Sequence, residues 1–298
     1  MIIKSLACAL LLLGTSAASA MQLPARGKAE APASKRFSVT VEGAGPDVIF
    51  IPGLTSSCAV WDRAVTGLGG AYRIHRVQLA GFAGEAPGAN ASGELLPGVV
   101  EELGAYISAQ KLGKPAIVGH SMGGLLGLML AAKHPERVGK LLVVDALPFY
   151  SLLMGPTATA EAVKPRAAQM HDALVAMPAS SYEAQVGRSL AMLAKDEKAR
   201  PALLAAALAS DRKVAAKAIY EVMTTDMRGS LGQIRAPITV AYATNAFAPD
   251  AMVGQLYRSG YAAASNARLV QVEDSYHFIM TDQPARFQTI LTNFLKDE

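Results

Sequence analysis

Gly119-His120-Ser121-Met122-Gly123 is the stretch on which the reading of this sequence turns. It follows the short apolar run Pro115-Ala116-Ile117-Val118 and opens a longer one, Gly124 to Ala132. The first run suits a buried strand and the second a helix. A serine flanked by glycines at this spacing, between strand and helix, has the layout of a nucleophile elbow. The turn is so tight that only very small side chains fit beside the serine. Its hydroxyl then stands clear of the sheet, at a helix N-terminus whose dipole and free N–H groups favour developing negative charge.

The pattern continues on both sides of this turn. Phe37 to Val41 alternates as a strand, and Asp47 to Ile51 reads as a buried strand ended by Pro52-Gly53. A helix is expected over Ala59 to Leu68, a strand over Tyr72 to Leu79, and a helix over Glu94 to Gln110. After the elbow helix, which runs to about His134-Pro135, Val138 to Val144 is again apolar and β-branched and ends at Asp145. Strands alternating with helices predict a parallel sheet covered on both faces.

The alternation stops from Leu147 to about Arg235, where Ala, Met and Leu dominate and prolines at 148, 156, 165, 178 and 201 are expected to cut the segment into several helices. Strands resume at Ile238 to Ala243 and Arg268 to Val272, followed by a helix beginning near Asp282 and Pro284. A helical insertion therefore divides one sheet. The expected organisation is a core over 36–146 and 236–298 and a helical cap over 147–235.

The N-terminus differs in kind. Lys4, the apolar run Leu6 to Leu13 and the small residues Ala18-Ser19-Ala20 read as a signal peptide over 1–20, too short to span a membrane as a mature helix. Residues 21–35, rich in Ala, Pro, Lys and Arg, read as a flexible leader. Export would place the protein in the periplasm or outside the cell, with no stable membrane insertion. Cys58 would be the only cysteine of the mature chain, leaving no internal disulfide.

Composition excludes other classes. The chain has 298 residues, 51% apolar and 17% charged, so it can bury a sizeable core and is not a disordered protein. Its +4 charge is scattered rather than blocked, which argues against a nucleic-acid partner. No paired-cysteine or His-x-x-x-His spacing suggests a metal site, and no cofactor is called for.

Three segments carry a resemblance: Phe50-Ile51-Pro52-Gly53-Leu54, the elbow Gly119 to Gly124, and Ser275-Tyr276-His277-Phe278. Over about residues 37–297 the chain resembles the α/β-hydrolase superfamily, in its esterase and haloperoxidase-like branch with a helical lid. The resemblance implies an α/β fold, a mostly parallel sheet flanked by helices, with a cap inserted after the family's sixth strand, the one ending at Asp145. It implies Ser121 as nucleophile and a late histidine, His277, as base. It implies an oxyanion hole from the N–H groups of Leu54 and Met122, with Gly53 allowing close approach of substrate.

The acid departs from the family pattern. The loop where relatives carry it reads Ala243-Thr244-Asn245-Ala246-Phe247-Ala248-Pro249-Asp250, with Asn245 and Ala246 at the expected place. Asp145 is preferred and Asp250, which could simply cap the next helix, is the alternative. Asp274 is expected on the wrong side of its strand. The cap holds six of the twelve methionines, at 154, 170, 177, 192, 223 and 227, and these are read mainly as helix packing with two or three lining a pocket. Trp61, Phe149 and Tyr150 are expected near its mouth, Trp61 and Phe149 as substrate-binding residues.

The function these features imply is hydrolysis of a small carboxylic ester, or a related acyl bond, through an acyl-enzyme. A carbon–carbon bond hydrolase and a lid-gated ligand sensor are the alternatives. Substrate identity and oligomeric state stay open.

Overall fold

The computed structural model describes residues 34–297. The expected signal peptide and residues 21–33 of the expected leader lie outside the described residues. Ser34 and Lys35, also assigned to that leader, are already tied to the fold: the Ser34 hydroxyl and the Lys35 N–H both donate to the Glu102 carboxylate.

Among the described residues seven strands form one sheet: β1 (Phe37–Glu42), β2 (Asp47–Ile51), β3 (Arg73–Leu79), β4 (Ala116–His120), β5 (Lys140–Val144), β6 (Ile238–Ala243) and β7 (Ala267–Val272). Their spatial order is β1-β3-β2-β4-β5-β6-β7. Only β1 runs antiparallel; the others pair in parallel. The chain therefore moves outward from β2 to β3 and then returns to the other side of β2 with β4. That reversal makes the carboxyl ends of β2 and β4 the topological switch point of the sheet, the usual ligand position in open α/β sheets.

The inner strands are buried on both faces, which explains their continuous apolar runs. Alternate residues feed two cores. Ile49, Ile51, Ile117, Leu141, Val143 and Val240 pack on one face beneath α2 (Leu96–Ala109) and α3 (Met122–Lys133). Val48, Phe50, Val118, Leu142, Val144 and Ala241 pack on the other, beneath α1 (Asp62–Thr66) and the C-terminal helix Pro284–Lys296. That last helix buries Phe287, Ile290, Leu291, Phe294 and Leu295 at helical spacing. Each such large side chain contributes ~1.5–3 kcal/mol on burial.

The segment between β5 and β6 is helical throughout its longer elements: α4 (Ala160–Ala176), α5 (Ala179–Leu193), α6 (Arg200–Ala209) and α7 (Arg212–Thr224). Pro178 and Pro201 stand at helix starts, where a missing N–H costs nothing. Pro165 differs from expectation, because α4 continues through it. The helices are anchored by polar contacts. Glu221 of α7 accepts from the Leu95 and Leu96 N–H groups at 2.7 Å each, capping α2 from across the chain. After β6 come α8 (Asp250–Gly260), β7, the short α9 (Ile279–Asp282) and α10, the C-terminal helix. Among the described residues no helix is long and apolar enough to cross a membrane.

Candidate active site

Ser121 joins β4 to α3 with φ +52° and ψ −120°, a conformation that costs ~1–3 kcal/mol for a residue with a side chain. Three backbone bonds hold it there. Its N–H donates to Val144 at 2.9 Å, and its carbonyl accepts from Gly124 at 2.8 Å and Leu125 at 3.1 Å. The flanking glycines are required by close approach: a Cβ at Gly119 would collide with the Gly123 carbonyl, and one at Gly123 with the Ile51 carbonyl.

The β2–β4 register, Ile51 opposite Gly119, brings the Pro52-Gly53-Leu54 turn beside this elbow. A Cβ on Gly53 would lie 3.2 Å from Ser121 Cβ and 2.9 Å from His120 Nδ1. Among the described residues no hydrogen bond engages the N–H of Leu54 or of Met122. Two free donors at a strand end and a helix start suit an anionic oxygen.

Asp145 follows β5, the strand beside β4, at φ +47°. Its Oδ2 accepts from His277 Nδ1 at 2.7 Å. Its Oδ1 accepts from the Ala243 N–H at 2.9 Å and the Tyr257 hydroxyl at 3.1 Å. The carboxylate is thus held by three donors, which fixes its plane and presents one oxygen to the imidazole. Tyr257 stacks on Tyr242 with ring centroids 4.8 Å apart. Its phenol is pushed well above the ordinary tyrosine value by burial and by the nearby Asp145 charge, so it remains a proton donor.

His277 lies in the loop between β7 and α9. Its loop is secured on several sides: the Tyr276 N–H donates to Asp282 at 2.8 Å, Asn245 donates to the Ser275 carbonyl at 3.0 Å, and the Phe278 N–H donates to Leu193 of α5 at 3.2 Å. The His120 ring packs against His277 with centroids 4.5 Å apart. No hydrogen bond joins Ser121 to His277 in this structure; such bonds are often loose before substrate arrives. The remaining histidines lie elsewhere: His75 bonds Asp47 and Tyr106, His134 sits beside Glu101 and Glu136, and His171 bonds Asp172 in α4.

Asp250 does not meet His277. It starts α8 and is engaged by the Tyr242 hydroxyl at 2.7 Å and by Arg258. Asp274 pairs with Lys195, just after α5. Asn245, at the place where the family resemblance leads one to expect the acid, caps its own turn by accepting from the Phe247 and Ala248 N–H groups.

Two expected substrate contacts are corrected. Trp61 is fully buried against Phe50 and Phe287, at centroid distances of 5.3 and 6.0 Å, because its indole fills the space between β2 and α10. Phe149 is also fully buried, in the opposite core, beneath the Arg228 guanidinium at 4.8 Å. Of that group only Tyr150 stays exposed. Among the methionines between β5 and β6, Met223 and Met227 are buried while Met154, Met170 and Met192 are exposed. Two contributors were missed from sequence. Tyr257 could have been suspected from Tyr257 and Tyr261, spaced one turn apart at the end of the amphipathic helix α8; nothing local marks Asp282. No group of His, Cys, Asp and Glu among the described residues is arranged to hold a metal.

Comparison with known proteins agrees with this fold. The model of the alpha/beta hydrolase family matches residues 48–288. A pimeloyl-[acyl-carrier protein] methyl ester esterase of Aeromonas hydrophila is 38% identical over 116 residues, 38% of this chain and 44% of that protein. The match thus spans less than half of that relative. Among solved structures, the enol-lactonase of Burkholderia xenovorans superposes with a TM-score of 0.71 at 18% identity, covering 88% of this chain and 96% of that one. A thermophilic esterase of Thermogutta terrifontis gives 0.70 at 17% identity, covering 87% and 93%. A sheet with this strand order, an elbow at its switch point and a family match across most of the sequence lead to one conclusion: the chain belongs to the alpha/beta hydrolase family.

Proposed function

We propose that this protein is a serine hydrolase that cleaves a small carboxylic ester, or a related acyl bond, through an acyl-enzyme on Ser121. The observation that carries the reading is the 2.7 Å bond from His277 Nδ1 to Asp145, at the same sheet edge as the strained Ser121. With Nδ1 protonated and bonded to the carboxylate, Nε2 is the basic nitrogen.

In this mechanism Ser121 Oγ attacks the ester carbonyl while His277 Nε2 takes its proton. The carbonyl oxygen becomes an oxyanion held by the Leu54 and Met122 N–H groups. The carbon–oxygen bond to the alcohol then breaks, and His277 returns the proton to the departing alkoxide. A water, deprotonated by His277, attacks the acyl carbon; the bond from that carbon to Ser121 Oγ breaks, His277 returns the proton to Oγ, and the carboxylic acid leaves. Asp145 keeps the imidazole in the required tautomer and stabilises its charged form. The methyl ester esterase relatives support an ester as substrate.

A panel of p-nitrophenyl esters of increasing chain length, run on wild type and Ser121→Ala, tests this reading. Turnover in the wild type should fall by about 10³-fold or more in the variant. Equal turnover in both would remove Ser121 from the chemistry. Tight ligand retention with no turnover of any ester would favour the sensor alternative. Export belongs to the same proposal: intact-mass measurement of the protein from its native host should show a chain beginning near Met21, and a chain that retains residues 1–20 would refute it.

A further inference from the structure

His120 immediately precedes Ser121, the nucleophile candidate, at the end of the turn's strand. It ends β4 and is 1% exposed. Its Nε2 lies 3.0 Å from the main-chain carbonyl oxygen of His277. A carbonyl oxygen can only accept, so Nε2 carries the proton and Nδ1 carries none. Nδ1 is buried and has no hydrogen-bond partner among the described residues. An imidazole that leaves one nitrogen unpartnered in the interior has been oriented by the bond its other nitrogen makes. Burial, and then the proximity of His277, hold the His120 pKa well below the ordinary histidine value, so the ring is neutral.

The other side of the contact is equally telling. Ser275, Tyr276 and Phe278 are each tied by their own backbone groups to Asn245 and Thr244, to Asp282 and to Leu193. The His277 main-chain carbonyl is held by the bond from His120. The ring of His120 also packs on the His277 and Phe278 rings, with centroids at 4.5 and 4.9 Å.

We propose that His120 is a positioning residue: its Nε2–H fixes the His277 main chain while its ring face sets the His277 imidazole between Asp145 and Ser121. This rests on the serine-hydrolase reading above. The imidazole's aim matters because a displacement of about 1 Å can cost on the order of 10²-fold in rate.

Two substitutions separate the hydrogen bond from packing. In His120→Gln the amide nitrogen can reach the place of the imidazole Nε2. In His120→Phe the ring volume stays and the donor is lost. We expect His120→Phe to lower kcat on a p-nitrophenyl ester by about 10- to 100-fold with KM within about twofold, and His120→Gln to stay within about fivefold of wild type. Labelling of Ser121 by a fluorophosphonate probe should slow in parallel. Wild-type kcat in His120→Phe, or equal losses in both variants, would overturn the proposal. Should a variant not fold, nitrogen-15 NMR of the wild type decides: a His120 ring protonated at Nδ1 rather than Nε2 overturns it. A wild type that neither turns over esters nor reacts with the probe defeats the hydrolase reading instead, whatever the tautomer.

Discussion

Two imidazole–carboxylate pairs stand at opposite ends of one sheet. At the amino ends of β2 and β3, His75 Nε2 donates to Asp47 at 2.9 Å, and its Nδ1 accepts from the Tyr106 hydroxyl at 2.7 Å. At the carboxyl ends, His277 Nδ1 donates to Asp145 at 2.7 Å. The chemistry of the two pairs is alike, but their surroundings differ. The His75 side chain is 2% exposed and both of its nitrogens are occupied. The His277 side chain is 23% exposed and its Nε2 has no hydrogen bond among the described residues. The first pair braces strands, with Arg73 completing the Asp47 contacts. The second has a nitrogen left to move a proton. A carboxylate behind a histidine is thus no sign of catalysis until the second nitrogen is followed to its end.

The sharpest break between the pairs should come from the acid. Asp145→Asn is expected to lower kcat by about 10²- to 10⁴-fold, because the amide no longer enforces the tautomer with a bare Nε2. Asp250→Asn should stay within about twofold, since Asp250 bonds Tyr242 and Arg258 instead. The reverse ranking in a steady-state assay would reassign the acid to the loop after β6.

The amino-end pair should answer through stability. His75→Phe removes two buried hydrogen bonds and leaves the Tyr106 hydroxyl without this partner, a loss of about 1–3 kcal/mol. Urea unfolding would measure it, and ester turnover per folded molecule should be unchanged. A large loss of turnover in a folded His75 variant would erase the contrast.

The smallest effect lies in the pH dependence of stability. Burial holds His75 below the ordinary value of 6.5 despite its bond to Asp47, and holds His120 well below it. In the unfolded chain both take up protons near 6.5, while the folded chain refuses them. Stability therefore falls as pH drops below about 6.5, by at most about 1.4 kcal/mol per pH unit for each histidine, until the folded pKa is reached. His75→Phe should flatten this slope between neutral pH and pH 5. Asp47 acts lower on the scale. Burial works to raise its pKa, but the hydrogen bonds from Arg73 and His75 outweigh that and hold it below 3.8. Its contribution is present above 3.8 and is lost as pH falls further. An unchanged slope in the His75 variant would place the acid sensitivity elsewhere.

Much of this was legible along the chain. The elbow could be read because its constraint is local: glycine at 119 and 123 is demanded by backbone atoms a few residues away or on the next strand. The strands could be read because a parallel sheet buried on both faces leaves continuous apolar runs. His277 could be placed by its order after Ser121 and before the last helix. Trp61 and Phe149 could not, since a large aromatic side chain serves a core or a pocket with the same composition, and which it does depends on what packs over it.

The amino-acid sequence alone determined the alternating α/β architecture, the sharp turn at Ser121 and the single late histidine that could serve it, because each follows from periodicity or from steric limits on near neighbours. Only the tertiary structure decided which aspartate meets that histidine, that Tyr257 steadies it, and that His120 faces it. Those contacts join residues up to 157 positions apart, and they depend on strand order and on the register between β4, β5 and β6. Side-chain pairing across neighbouring strand ends is set by how the sheet assembles, and no local pattern encodes it.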